Sequence, residues 1–306
     1  MKVHVRVPAS SANLGPGFDS LGLALALYNE VTAEEADGVR VAVEGEGAGR
    51  LAANERNVVA RGVSAAYDAA GRRFPGCALT CVNRIPLSRG LGSSAAAWVG
   101  GLVAGNVLLG SPLDRSTVLT LAARAEGHPD NVAAALLGGL TVSAGGGDGA
   151  IAVALPVPSD LHWVTLIPEI TSATSEARAV LPSSVPREDA VFNVQRVALL
   201  LAALQTRRVD VLGTALDDRL HQPYRVRLFP WLPSVADAAR KAGALGCVLS
   251  GAGPALLAVV AGTEGEASAV ARAMEEALAR AGITGAANAL AVDRQGAVSV
   301  KLGGPP

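Results

Sequence analysis

The string Pro86-Leu87-Ser88-Arg89-Gly90-Leu91-Gly92-Ser93-Ser94-Ala95-Ala96 sets two glycines and paired hydroxyls between a strand pattern and a small, apolar helix pattern. Such a turn aims bare backbone N–H groups at one point. The positive end of the helix dipole adds to them, so the place suits a phosphate. Glycine at 90 and 92 admits a left-handed backbone and a close approach of ligand to main chain. Ser93 or Ser94 is expected as the helix N-cap. Either hydroxyl can also serve phosphate oxygens or a magnesium shell. The lysine of a Walker-type loop is missing, which argues against that kind of site. An ordinary tight turn before a capped helix is the competing reading of the glycines alone.

A second polar cluster, Glu126-Gly127-His128-Pro129-Asp130-Asn131, precedes the apolar run Val132 to Leu137. Pro129 suits a first helical position with His128 near the cap. Asp130 then falls in the first turn, where its carboxylate either complements the dipole or touches a ligand. Asn131 can point its amide at a substrate hydroxyl. Glu126 is the metal candidate, because magnesium with nucleotide phosphates takes only one or two protein carboxylates or hydroxyls. A third cluster lies in the loop Pro8 to Gly22, where Asn13 offers an amide and Asp19 a carboxylate. These two either meet a ligand or close turns, while Leu14 and Phe18 tuck inward and stiffen the loop. Arg178 is predicted in the first turn of a helix opened by Thr171 to Glu176. A cation there opposes the dipole unless an anion binds, and an exposed surface arginine is the alternative.

These groups need elements to hold them. Alternation predicts strands at Val3 to Val7, Leu21 to Ala33, Val39 to Val43 and Cys77 to Arg84. Helices are predicted at Asn57 to Ala70, Ala95 to Leu109 and Leu113 to Ala125. A strand from Gly138 to Ala144, a glycine-rich hairpin turn at Gly145 to Gly149 and a strand to Leu155 close the first half. Pro156 to Ser159 is the expected boundary, giving domains 1–158 and 159–306. The second half opens on a strand at Trp163 to Ile167. Glu188 to Arg207 follows as an amphipathic helix with Val191, Val194, Val197, Leu201 and Leu204 on its inner face. His221 is expected at the surface or a helix end. A helix at Ser234 to Ala242, strands at Cys247 to Leu249 and Ala255 to Val260, a helix at Glu266 to Ala281, and strands at Ala289 to Val292 and Ala297 to Val300 complete an α+β pattern.

Composition narrows the partners. Half of the 306 residues are hydrophobic but only 3% are aromatic, so Ala, Val and Leu must build a closely packed core. A net charge of −1 with no basic block argues against nucleic acid or a membrane surface. Cys77, Cys81 and Cys247 read as buried free thiols rather than a metal set. The uncharged runs Gly90 to Ser111 and Ala242 to Thr263 are long enough to span a bilayer, but their glycines fit core elements better. The N-terminus has no apolar h-region, so no signal peptide is expected and the expected location is the cytoplasm.

The string from Pro86 to Ala96 resembles the nucleotide loop of the GHMP kinases. Ser11-Ala12-Asn13-Leu14-Gly15 to Asp19 resembles their first motif in its homoserine kinase form, and Ser250-Gly251-Ala252-Gly253-Pro254 resembles their third. His128-Pro129-Asp130-Asn131 and Thr174-Ser175-Glu176-Ala177-Arg178 are also similar to strings of the homoserine kinase branch. The resemblance implies a GHMP kinase fold: an N-terminal domain like ribosomal protein S5 domain 2 and a C-terminal ferredoxin-like α/β sandwich. It implies ATP and Mg²⁺, and L-homoserine as the small-molecule substrate, phosphorylated on the way to threonine. By that resemblance the loop from Pro86 to Ala96 binds the nucleotide, its glycines closely approached by the third motif. Glu126 with Ser93 or Ser94 holds Mg²⁺. Asp19 takes the ammonium, Thr174, Arg178 and Arg225 hold the amino acid with both arginines on its carboxylate, and Asn131 meets the acceptor hydroxyl. Asn13 and His128 complete the substrate set, Arg227 is the weaker alternative to Arg225, and no general base is evident. The competing readings are another GHMP kinase, acting on mevalonate, shikimate or a sugar, and a non-catalytic nucleotide-binding protein of the same fold. The resemblance is compatible with a homodimer.

Overall fold

The computed structural model describes residues 1–146 and 149–303. The first half contains β1 (Lys2–Ala12), β2 (Leu21–Glu35), β3 (Gly38–Gly45), α1 (Val58–Ala69), β4 (Gly76–Asn83), α2 (Ser93–Leu108), α3 (Arg115–Glu126), α4 (Asp130–Leu137), β5 (Leu140–Gly146) and β6 (Gly149–Leu155). The second contains β7 (Leu161–Pro168), α5 (Thr174–Ala179), α6 (Arg187–Thr206), α7 (Leu212–Ala215), α8 (Gln222–Arg225), α9 (Leu232–Lys241), β8 (Gly246–Leu249), β9 (Leu256–Ala261), α10 (Glu264–Arg280), β10 (Gly285–Leu290) and β11 (Val298–Leu302).

Val3, Val5 and Val7 of β1 and Leu21, Leu23 and Leu25 of β2 are fully buried. Burying each such side chain stabilises the fold by about 1.5–3 kcal/mol. The first sheet runs β11-β1-β2-β4-β3, with β5 and β6 extending from β2. Helix α2 lies in the core with Val99, Leu102 and Ala104 fully buried. It therefore presents its N-terminus, and the loop before it, from a fixed base. Cys77 and Cys81 are buried beneath the same sheet, and burial pushes the Cys77 thiol up to about 11.

The second sheet has the order β10-β7-β9-β8, all antiparallel. With α9 and α10 as its helices this is the ferredoxin-like arrangement. The Gly145 to Gly149 turn joins paired strands, Gly146 lying opposite Gly149, while its tip residues 147 and 148 lie outside the described residues. Among the described residues no helix is long and apolar enough to cross a membrane.

Two expectations are corrected. The strand predicted at Ala297 to Val300 leaves the second half and pairs antiparallel with β1 as β11, so the stretch drawn as 159–306 contributes a strand to the first sheet. Asp293 anchors this return by accepting hydrogen bonds from Tyr28 Oη and the Gly296 amide. On α6 the expected face holds only in part: Leu204 is buried and Val197 and Leu201 are half-buried against the core, but Val194 is 70% and Val191 49% exposed, and Asn193, Leu200 and Ala203 are buried instead. Burial of Asn193 is tolerated because its amide donates to Pro16 O and Asp218 and its Oδ1 accepts from Arg219 N.

Candidate active site

The glycine loop ends in Gly92, which caps α2 in the left-handed conformation (φ +68°) with no side-chain cap bond. The expected capping by Ser93 or Ser94 is therefore replaced: both lie inside the helix. Among the described residues no side chain consumes the first N–H groups of α2, an arrangement suited to an anion. Gly90 is also left-handed (φ +80°). A Cβ at 90 would strike the Ser250 carbonyl, and one at 92 would strike the Ser10 hydroxyl. Both halves of the molecule pin this loop. Ser10 N donates to Leu91 O at 3.1 Å, and Ala255 N donates to Arg89 O at 3.1 Å. Ser250 Oγ donates to Gly90 O at 2.7 Å and lies 2.8 Å from Ser11 Oγ. A carbonyl only accepts, so the Ser11 hydroxyl donates to Ser250.

Asn131 and Glu126 flank the loop. Ser10 Oγ donates to Asn131 Oδ1 at 2.9 Å, which turns the Asn131 amide nitrogen toward the cleft as a donor. Ser94 Oγ donates to Glu126 Oε2 at 2.8 Å. That pair places a carboxylate and a hydroxyl, both hard oxygen donors, beside the free helix end.

The charged groups line the same cleft as the loop. Arg178 forks onto Asp19, with Nη2 to Oδ1 at 2.6 Å and Nη1 to Oδ2 at 3.0 Å. The bond to Asp19 holds the Arg178 pKa above its ordinary value. Arg225 is 2% exposed, and burial, then the charge of Arg178, push its pKa down to about 10. An anion beside both guanidinium groups would relieve that repulsion. Each guanidinium carbon stands 5.5 Å from the centre of the Phe18 ring. His128 Nδ1 meets Asp130 Oδ1 at 2.6 Å. Burial disfavours the imidazolium, but Asp130's hydrogen bond and charge outweigh it and raise the His128 pKa. Asp19, His128 and Asp130 offer ligand atoms within 4.8 Å of one another. The two carboxylates are already engaged by Arg178 and His128, so this trio is an ion-pair network.

The residues expected at one site do converge. Asn13, Asp19, Ser88, Gly90, Gly92, Ser93, Ser94, Glu126, His128, Asn131, Thr174, Arg178 and Arg225 line one cleft of about 120 Å³. Arg227 is exposed and does not line it. The Asn13 amide closes its own loop only in part: Oδ1 accepts from Asp19 N, while Nδ2 donates to Gly251 O, 238 positions away, and ties the first loop to the third glycine motif. Asp130 likewise spends its carboxylate on His128 and on the Asn131 N–H. Within the loop, Leu91, Ala95 and Ala96 are buried supports. Pro86 is partly buried, and Arg89 Nη2 turns to the Glu169 carbonyl.

Some functional residues had no sequence signal of their own. Ser10 and Ser11 read only as loop hydroxyls. His221, expected at a surface or a helix end, does stand at the start of α8 but is fully buried. A second cleft of about 280 Å³ adjoins the loop at Ser88, Ser93 and Ser94, walled by Val43, Leu51, Val59, Leu87 and Ala97 with Asn57 and Asn83 at its polar points. Its residues come from four separate elements and loops, and no local pattern joins them.

Residues 57–139 match the GHMP kinases N terminal domain and residues 200–280 the GHMP kinases C terminal domain. A homoserine kinase of Moorella thermoacetica is 46% identical over 97% of this chain and 99% of its own length. One of Carboxydothermus hydrogenoformans is 44% identical over 92% and 91%. The crystal structure of homoserine kinase from Cytophaga hutchinsonii superposes with a TM-score of 0.89 at 31% identity, covering 98% of this chain and 97% of that one. Lactococcus lactis galactokinase, at 17% identity and a TM-score of 0.75, shares the fold.

Proposed function

This chain belongs to the homoserine kinase family of GHMP kinases, and from that premise we propose how its cleft moves the terminal phosphoryl of ATP onto the hydroxyl of L-homoserine. It is a phosphotransferase acting on an alcohol group, uses ATP and takes a small-molecule substrate. The observation that carries the assignment of residues is the meeting of two unlike surfaces in one cleft. A helix-end loop of bare N–H groups and a pair of guanidinium groups line the same cleft, and Asn131 lines it with them.

In this reading the triphosphate lies along Gly90 to Ser94, where main-chain donors and the α2 dipole neutralise it. The adenine enters the neighbouring apolar cleft at Val43, Val59 and Leu87. Glu126 and Ser94 fit Mg²⁺ through their paired oxygens, and the ion when bound supplies charge neutralisation to the phosphates. Residues 1–158 with the returning β11 form the nucleotide-holding unit. The cytoplasm, where ATP and free amino acids meet, is the proposed location.

Homoserine carries an ammonium and a carboxylate on one carbon. Asp19 and Arg178 present the matching charges to each other at 2.6 Å. The zwitterion takes both halves of that pair: its ammonium replaces the guanidinium at Asp19, and its carboxylate replaces Asp19 at Arg178 and gains Arg225. Thr174 and His128 border the amino acid. Its hydroxyl then points at Asn131, whose amide nitrogen donates to it. Asn131 cannot act as a base because a carboxamide is not basic near neutral pH, and its carbonyl serves Ser10. The hydroxyl oxygen bonds to the terminal phosphorus as the bridge to ADP breaks, and its proton passes late to an oxygen of the transferred phosphoryl group. Alignment and charge neutralisation do the work in such a loose transfer.

The test is ADP release, by a coupled assay, against homoserine, mevalonate, shikimate and galactose. Homoserine should give the highest kcat/KM. Asn131→Ala and Glu126→Gln should each lower kcat by about 100-fold or more. Wild-type turnover in both variants would end this assignment of roles.

A further inference from the structure

We infer that His221 is a positioning residue for amino-acid recognition: locked as the neutral Nε2–H tautomer, it fixes the Arg225 guanidinium through its bare Nδ1. The inference rests on the reading in which Arg225 grips the substrate carboxylate. His221 Nε2 lies 2.8 Å from the Gly15 carbonyl. A carbonyl only accepts, so Nε2 carries the hydrogen. Nδ1 lies 3.1 Å from Arg225 Nη1. A guanidinium only donates, so Nδ1 carries the lone pair. A proton on Nδ1 would set N–H against N–H and add a second cation beside Arg225.

The consequence for Arg225 follows from counting its five donors. Nε donates to Ala177 O at 3.1 Å. The two hydrogens of Nη1 go to His221 Nδ1 and to Gly251 O at 2.9 Å. Among the described residues nothing engages Nη2, and Arg225 lines the substrate cleft. Three bonds in three directions therefore determine where the last two donors point. Two of these bonds lead on to the first loop, Gly251 through Asn13 and His221 through Gly15, and the His221 ring also stacks on Phe18 at 5.2 Å. Phe18 is the ring both arginines stand over. Asp218 Oδ2 accepts from the backbone N–H groups of His221 and Gln222 and lies 3.4 Å from the His221 Nε2, a carboxylate that also favours the hydrogen on that nitrogen. The imidazole thus joins the loop carrying Asp19 to the helix carrying Arg225, so the two ends of the amino acid meet a site of one fixed width.

The experiment compares wild type with Arg225→Gln, His221→Leu and His221→Asn. KM for homoserine, KM for ATP and kcat are measured at equal folded fraction. His221→Leu should raise KM for homoserine by about 10-fold with KM for ATP unchanged. His221→Asn places Oδ1 where Nδ1 stood and should recover most of that loss. In wild type, nitrogen shifts of the His221 ring should report the Nε2–H tautomer from about pH 6 to 8, a readout that survives even if a variant misfolds. The inference is overturned by an Asn variant no better than Leu, by KM for both substrates rising together, by an unchanged KM for homoserine in His221→Leu, or by a proton on Nδ1. If Arg225→Gln itself leaves KM for homoserine unchanged, the carboxylate reading falls and takes this one with it. If only the His221 variants are silent, this inference falls alone.

Discussion

The two walls of the cleft are built from different materials. The wall we propose for the nucleotide is main chain: Gly90 and Gly92 in left-handed turns, a helix end with no side-chain cap, and a loop held by backbone partners on either side. The wall we propose for the amino acid is side chain: Asp19, Arg178, Arg225, His128 and Asp130 come from four separate segments, with Asp19–Arg178 and His128–Asp130 paired by charge. Main-chain donors are fixed by φ and ψ and carry no formal charge to neutralise. Side-chain charges must be held by other side chains, and each must be desolvated or paired. The nucleotide wall is thus rigid by geometry and tolerant of electrostatic change. The amino-acid wall is specific by charge and sensitive to any loss of a partner.

That contrast can be broken at either wall. The largest effect should come from Gly92→Ala, which forces a Cβ onto the Ser10 hydroxyl and near Asn131 Oδ1 at 3.0 Å. We expect kcat/KM for ATP to fall by about 1,000-fold, while calorimetry finds homoserine binding within a few-fold of wild type. Equal losses for both ligands would mean the walls are not independent. Arg178→Gln should do the reverse. KM for homoserine should rise by about 30-fold, near 2 kcal/mol for a lost charged hydrogen bond, and KM for ATP should stay put in steady-state kinetics.

Asp19→Asn sharpens the comparison. In wild type 4-hydroxybutyrate, which lacks the ammonium, must strand Asp19 to reach Arg178. Removing that carboxylate should narrow the kcat/KM gap between homoserine and 4-hydroxybutyrate by about 10-fold. A gap that holds or widens would show that the Asp19–Arg178 pair stays closed on substrate.

The smallest effect concerns His128. Its folded-state pKa lies above the unfolded value, so its pairing with Asp130 stabilises fully below about pH 6.5 and loses that contribution as the pH climbs through the raised folded value. Thermal unfolding should show His128→Gln less stable than wild type by about 1 kcal/mol at low pH, with the difference shrinking toward alkaline pH. A difference independent of pH would assign His128 to packing alone.

Legibility in the sequence follows the same division. The glycine loop, its strand and its helix were readable because each depends on residues a few positions apart. So were β1, β2 and the ferredoxin-like series. Helix α6 misled because Val191 and Val194 keep the right period on the wrong face; the packing of Asn193 against Pro16 and Asp218 sets the rotation. Arg178 read as a ligand group only by resemblance, since its partner Asp19 lies 159 positions away.

By itself, then, the sequence determined the elements, the left-handed glycines and the anion-suited helix end, because backbone sterics and dipoles act within a turn or two of chain. The tertiary structure alone decided which charges meet. It brought Gly15 to His221 across 206 positions and carried the last strand back to the first sheet. Pairing energies between distant groups exist only once the chain has closed the distance between them, and no local pattern records that closure.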